Sequence, residues 1–334
     1  MKSGKFREKL LVIGAGDIGR RVIASLGKQA DMTALTSTPA SRAPLRRLGA
    51  RPVLADLDKA GSLKRLPVDW NALLHCAPPP ARGTRDTRTR KLLRALDRPG
   101  KTPHKPASLT CGPRLTRSSR RSRVLVYLST SGVYGDCGGA RISEARPVDA
   151  RNARAVRRVD AERVLIRHAR RGAFRLVILR VPGIYSETRL PLARLRAGTP
   201  ALADADDVYT NHIHAADLAR IAVAALLRLR ARVRPQVRVY HASDESEMKM
   251  GDYFDLVADV FGLARPPRLS RAAIVDAVSP ALLSFMSESR RLDNSRMKRE
   301  LKVNLLAPTV AVGVAAAAAR ARTERDACSP RPEV

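Results

Sequence analysis

The stretch L-L-V-I-G-A-G-D-I-G-R-R-V, residues 10–22, places glycines at 14, 16 and 19 between an apolar run and an amphipathic one. In that setting each glycine has a physical task. Gly14 permits a tight turn, Gly16 lets a diphosphate approach the backbone, and Gly19 lets a helix pack closely on a strand. Asp17 and Ile18 lie at the helix N-terminus, whose partial positive charge favours an anion. The chemistry implied is the binding of a dinucleotide.

Further along, residues 36–42 read T-S-T-P-A-S-R, where a site selective for NAD would carry an acid to accept from the ribose hydroxyls. Thr36, Ser37 and Arg42 could instead hold a 2′-phosphate, so NADP is expected in preference to NAD. Asp56 and Leu57, after a third apolar run, are placed to flank adenine. Groups able to exchange a proton near the same region are Tyr134, Cys137, Tyr185 and His212. His212 and His214 alternate on an expected strand and share a side, but no third ligand stands at a telling spacing, so no metal is expected.

These residues need elements to position them. Short apolar runs alternate with helical periods through the first half, the pattern of βαβ units and a parallel sheet. Strands are expected at about 9–14, 32–37, 51–55, 70–76, 124–129 and 175–180, with the clearest helix at 153–170. The fold class is α/β, a doubly wound parallel sheet of Rossmann type with a smaller C-terminal lobe. The boundary is expected near 185, giving domains 1–185 and 186–334, with 211–241, including a strand at 237–241, returning to the sheet. Residues 98–123 are rich in Pro, Ser and basic side chains and contain no acid, so a loop is expected there.

Sixty-three Lys and Arg against 31 Asp and Glu give a formal charge of +32. Such an excess raises the question of nucleic acid. The arginines are spread along the chain and no binding-motif fingerprint accompanies them, so a small molecule is the expected partner, and a nucleic-acid-associated protein gripping phosphate with the basic arm at 98–123 is the weaker alternative. The four cysteines form no C-x-x-C pair, which fits a reducing cytoplasm. The run T-V-A-V-G-V-A-A-A-A-A-R near the C-terminus is too short and too weakly apolar to span a bilayer.

Taken in order, G-A-G-D-I-G at 14–19, H-C-A-P-P-P at 75–80, S-T-S-G-V-Y-G-D at 129–136, D-A-E-R at 160–163, L-R-V-P-G-I-Y at 179–185 and N-H-I-H-A-A-D-L-A at 211–219 resemble the short-chain dehydrogenase/reductase superfamily in its extended epimerase/dehydratase form. The resemblance implies that Thr130 is the catalytic hydroxyl, that Ala77 and Pro78 border the nicotinamide ribose, and that Pro182 lies over the nicotinamide. It also implies a possible homodimer. Anchored on D-A-E-R, the family's Tyr-x-x-x-Lys pair falls on Arg154 and Arg158. The spacing keeps both on one helix face, but arginine does not exchange a proton near neutral pH.

Three readings follow. In the first, one of Tyr134, Cys137, Tyr185 and His212, with Tyr134 foremost, serves the proton while Arg158 inherits part of the lysine's task. Alternatively Arg154 and Arg158, with Tyr185 and His212, hold an anionic substrate. In the third reading catalysis is lost and a cofactor-binding sensor remains.

Overall fold

The computed structural model describes residues 8–98, 123–228 and 236–328. The basic segment expected at about 98–123 lies, apart from its two end residues, outside the described residues. The chain divides into two compact units, and each is discontinuous in sequence. The first comprises residues 1–133, 150–180 and 219–240, and the second 134–149, 181–218 and 241–334.

The first unit is built on one seven-stranded sheet. Its strands are β1 (Glu8–Ile13), β2 (Ala30–Thr36), β3 (Arg51–Leu54), β4 (Ala72–His75), β5 (Val124–Thr130), β6 (Arg175–Val181) and β7 (Val237–His241). Their spatial order is β7-β6-β5-β4-β1-β2-β3. Pairing is parallel from β3 through β2, β1 and β4 to β5. The direction of winding reverses between β1 and β4, and the carboxyl ends of strands at such a reversal are where open α/β sheets bind ligands. Strands covered on both faces read as unbroken apolar runs, and Leu10–Ile13 and Leu73–Leu74 are accordingly buried.

Four helices position the residues of interest: α1 (Asp17–Leu26), α2 (Arg42–Arg47), α3 (Thr87–Leu96) and α4 (Ala153–Arg170). α1 buries Ile18, Gly19, Val22, Ile23 and Leu26, one face at helical spacing, and stops at Gly27 with φ +49°. α3 starts at Asp86, whose carboxylate accepts from the Thr89 N–H at 3.0 Å, and α4 starts at Asn152, whose side chain accepts from the Ala155 N–H at 2.8 Å. The strand at 237–241, isolated in the sequence, is the edge strand of the main sheet.

The second unit has its own core, including Tyr185, Leu195, Leu202, Tyr253, Phe254, Val257, Val310 and Val314. Helices Met250–Phe261 and Val310–Cys328 pack against each other. Short strand pairs tie the unit together, among them Gly183–Tyr185 beside His212–His214 and Arg141–Ile142 beside Arg291–Leu292. Among the described residues no helix is long and apolar enough to cross a membrane.

Candidate functional site

The glycine turn follows directly from β1. Gly14 has φ +90°, and a Cβ there would stand 2.6 Å from the Ala77 backbone nitrogen. A side chain is excluded twice, by conformation and by space. The closeness arises because the N–H groups of Cys76 and Ala77 both donate to the Ile13 carbonyl, at 2.8 and 3.1 Å, drawing the end of β4 against the turn. At Gly19 a Cβ would stand 2.6 Å from the Gly14 carbonyl oxygen. At Gly16, which precedes α1 without any side-chain cap, a Cβ would meet nothing within 4 Å. The protein therefore requires glycine at 14 and 19, whereas at 16 glycine leaves open space at a helix N-terminus. That is the pattern a pyrophosphate cradle needs, so these residues fit a dinucleotide.

The rim of this cradle differs in detail from expectation. Thr36 is buried, and its hydroxyl accepts from the Thr38 N–H at 3.2 Å and lies 3.3 Å from the Thr38 carbonyl, shaping the turn after β2. Ser37 and Arg42 are exposed. Asp17 accepts from Arg21 Nε at 2.8 Å. Arg20, which the motif does not single out, donates from Nε to the Ala15 carbonyl at 3.1 Å and from Nη2 to Ser41 Oγ at 3.1 Å. It thus fastens the glycine turn to the segment that follows β2. The Asp56 carboxylate accepts from the Asp58 N–H at 2.8 Å, and Leu57 is buried in the core. Pro78 is exposed, and its carbonyl accepts from Arg88 Nη1 at 3.2 Å.

At the end of β5 stands Thr130, half-buried, with Oγ1 accepting from the Gly132 N–H at 3.3 Å. Among the described residues its own proton meets no acceptor, so the hydroxyl can still donate. Arg158 donates from Nη1 to the Leu128 carbonyl at 2.7 Å and to Tyr127 Oη at 3.0 Å, with its guanidinium carbon 5.5 Å from the Tyr127 ring centre. The arrangement sets a fixed positive charge beside the ends of β4 and β5. Arg154, one turn earlier on α4, is exposed. Below them Glu162 accepts from Arg180 Nη2 at 2.8 Å and from Ser129 Oγ at 2.5 Å, a buried pair locking β5, β6 and α4 together.

A buried relay of polar groups lies under β4. Thr89 Oγ1 donates to Asp86 at 2.7 Å and accepts from His75 Nε2 at 2.9 Å, which leaves His75 Nδ1 without a partner. Burial, with the Arg158 charge adding, pushes the His75 pKa down to about 3, so the ring is neutral. Tyr127 is pushed up to about 12 by burial and keeps its proton.

The second unit holds the remaining candidates. Tyr134 is buried with its Oη 2.6 Å from His241 Nε2. Because His241 Nδ1 lies 2.9 Å from the Asp293 carbonyl, which only accepts, Nε2 is the acceptor and the phenol donates to it. Cys137 is buried and its thiol pKa is raised by desolvation. Tyr185 is buried, donates to the Thr309 carbonyl at 3.4 Å, and is likewise pushed up by burial. His212 is buried, its ring centre is 4.2 Å from that of Tyr253, and desolvation lowers its pKa to about 3. Pro182 is half-buried just before the strand Gly183–Tyr185. Among the described residues no group of His, Cys, Asp or Glu could hold a metal ion.

The structure thus brings Gly14, Gly19 and Ala77 together at one turn, and groups Arg158 with Tyr127. Tyr134, Tyr185 and His212 belong to the interior of the second unit.

Comparison with known proteins accords with this architecture. The model of the NAD dependent epimerase/dehydratase family matches residues 10–240. A search of curated proteins gave no match. Among solved structures, a conserved protein of unknown function from Silicibacter pomeroyi DSS is 26% identical with a TM-score of 0.73, over 94% of this chain and 99% of that one. The UDP-glucuronic acid 4-epimerase of Bacillus cereus in complex with NAD is 17% identical with a TM-score of 0.67, over 94% and 99%. The UDP-glucose 4-epimerase of Thermotoga maritima with UDP-glucose is 14% identical with a TM-score of 0.70, over 95% and 99%. The chain belongs to the NAD dependent epimerase/dehydratase family.

Proposed function

We propose that the protein binds a nicotinamide dinucleotide, NADP in preference to NAD, and acts as an oxidoreductase or epimerase on a small carbonyl, hydroxyl or sugar-nucleotide substrate through an atypical centre. The observation that carries the cofactor reading is the contrast among the glycines. Positions 14 and 19 have no room for a Cβ, and position 16 opens onto free space at the start of α1, where a diphosphate would lie. The NADP preference rests on the absence of a carboxylate from Thr36 to Arg42 and on the exposed Ser37 and Arg42. Arg20, held by Ser41, adds a cation to the same rim. The sugar-nucleotide class comes from the UDP-sugar enzymes among the structural neighbours.

When bound, the nicotinamide supplies the redox chemistry, exchanging electrons with a substrate carbon. Thr130 donates to a substrate oxygen and polarises it. Arg158, anchored by Leu128 and Tyr127, presents fixed positive charge to ribose hydroxyls or a developing anion. Arg154 offers a planar fork for a substrate carboxylate or phosphate. What this chain lacks at positions 154 and 158 is a group that exchanges a proton near neutral pH.

A second reading is favoured by one specific observation. Tyr134, Tyr185 and His212 are each buried, and both phenols already donate inside their own unit. A catalytically silent NADP-binding sensor would be built this way. A cofactor-absorbance screen over carbonyls, alcohols and UDP-sugars separates the two. The enzyme reading expects turnover with at least one compound and a loss of about 10²-fold or more in Thr130→Ala. Turnover that is unchanged in Thr130→Ala removes the assigned role, and tight cofactor binding with no turnover across the panel selects the sensor.

A further inference from the structure

Arg88 and Lys91 stand three residues apart at the start of α3 and so share one face of the helix. Asp86, which caps that helix, fixes where the face begins. The Arg88 guanidinium grips the Asp58 carboxylate at two points, Nε to Oδ1 at 3.0 Å and Nη2 to Oδ2 at 2.6 Å, and its third nitrogen donates to the Pro78 carbonyl at 3.2 Å. Lys91 Nζ donates to the Asp58 carbonyl at 2.6 Å, and the Asp58 N–H donates to the Asp56 carboxylate at 2.8 Å. Asp58 belongs to the loop after β3 and Pro78 to the loop after β4.

Those two strands are not neighbours. In the order β4-β1-β2-β3 they stand three strand spacings apart, about 14 Å, yet one guanidinium reaches both loops. The result is a closed circuit of hydrogen bonds at the carboxyl ends of β1 and β2. The Ala77 N–H holds the β4 loop to the Ile13 carbonyl at the end of β1, at 3.1 Å, and the Ala15 N–H joins the glycine turn to Leu35 of β2, at 3.4 Å. The Ala55 N–H ties the start of the β3 loop to the Thr36 carbonyl at the end of β2, at 3.0 Å. Arg88 makes the remaining link, from the β3 loop back to the β4 loop. A dinucleotide lies across the carboxyl ends of such strands with its adenosine half toward β2.

We infer that Arg88 is the positioning residue for the adenine end of the cofactor, holding the loops after β3 and β4 as the two walls between which the purine ring enters. The inference rests on the cofactor reading above. All three nitrogens of the guanidinium are engaged on the protein, so Arg88 acts on the ligand through the loops it joins. Its planar fork fixes both the separation and the angle of the walls, which an ammonium group in the same place cannot do. Walls set before the ligand arrives need not be ordered by it, and affinity rises accordingly.

The test uses the full chain and calorimetric titration with NADP, NAD and ADP. Arg88→Ala should weaken all three by the same factor, about 3- to 10-fold. Asp58→Ala should cost as much, and the double variant no more than either. Arg88→Lys, which keeps the charge and loses the fork, should recover little. At saturating ligand, acrylamide should quench an ethenoadenine analogue of the dinucleotide more strongly on Arg88→Ala than on the parent, while the fluorescence of bound NADPH, which reports the nicotinamide end, stays as in the parent. Because the ion pair is partly exposed, the melting temperature of the unliganded variants should remain within about 2 °C of the parent. Full affinity in Arg88→Lys would overturn the inference, since charge alone would then suffice. Equal changes at the purine and nicotinamide ends would replace it by a general role in folding. A parent protein that binds none of the dinucleotides defeats the cofactor reading itself, whereas a parent that binds them and an Arg88→Ala variant that binds them alike defeats this inference alone.

Discussion

Replacing Gly16 by Ala separates a ligand's requirement from the protein's own. A Cβ at this position meets no protein atom within 4 Å, so no packing is disturbed. The residue precedes α1 in an extended conformation, φ −78°, that alanine adopts freely. The remaining cost to folding is that alanine is a poorer N-cap than glycine, about 0.5–1 kcal/mol, or a few degrees in Tm for a domain of this size. The cost to binding should be larger. The methyl group occupies the volume in which a diphosphate approaches the turn, and displacing it forfeits one charge-assisted hydrogen bond to a backbone N–H, about 1.5–3 kcal/mol. That corresponds to roughly a 10- to 100-fold rise in Kd. Calorimetric titration with NADP and NAD, beside a thermal melt of the unliganded protein, reads both quantities. A Gly16→Ala protein that melts like the parent and binds both dinucleotides as tightly would show that no diphosphate lies against this turn.

Gly14→Ala should behave in the opposite way and unfold first, because φ +90° and a backbone nitrogen at 2.6 Å together cost about 1–3 kcal/mol or more; an unchanged Tm would contradict the close approach of Ala77. Ser37→Ala combined with Arg42→Ala, both exposed positions, should weaken NADP by about tenfold or more while leaving NAD nearly unaffected, and equal losses for both would remove the 2′-phosphate assignment. Gly313→Ala places a Cβ 2.3 Å from Tyr185 Oη, so it should lower Tm through overpacking worth about 1–3 kcal/mol, and a stabilised variant would refute that contact. Asp244 is buried with Oδ2 unpartnered, and desolvation raises its pKa to about 8. Folding therefore takes up a proton between the unfolded value near 4 and about 8, so this carboxyl costs stability progressively as pH rises through that window. Asp244→Asn should raise Tm more at pH 8 than at pH 5, and a gain independent of pH would show that the carboxyl does not ionise against its surroundings.

Local signals in the chain mark the strands but not their full order in the sheet. Strand, turn and helix at 8–26 follow from the glycine spacing and the apolar run, and α4 follows from its length and from Asn152 at its start. The strand at 237–241 was legible as a strand, but its place at the sheet edge depends on a partner some sixty residues earlier in the chain, Leu176 to Gln236. The same limit applies to Tyr134. Its sequence context S-T-S-G-V-Y-G marks it as a chemical group, whereas its actual acceptor, His241, lies 107 residues away. Asp217 similarly stands in the first turn of its own helix yet accepts from the N–H groups of Leu306 and Ala307 at 2.7 and 2.9 Å. Arg20 was hidden for a different reason, since in a chain with 63 basic residues one more arginine carries no signal until its hydrogen bonds to Ala15 and Ser41 are seen.

The most direct measurement is titration calorimetry of the folded parent protein with NADP, NADPH, NAD and NADH. The glycine cradle and the acid-free segment from Thr36 to Arg42 predict one site per chain, with the phosphorylated pair bound more tightly. Absence of heat from all four ligands, with no shift in melting temperature, would contradict the account.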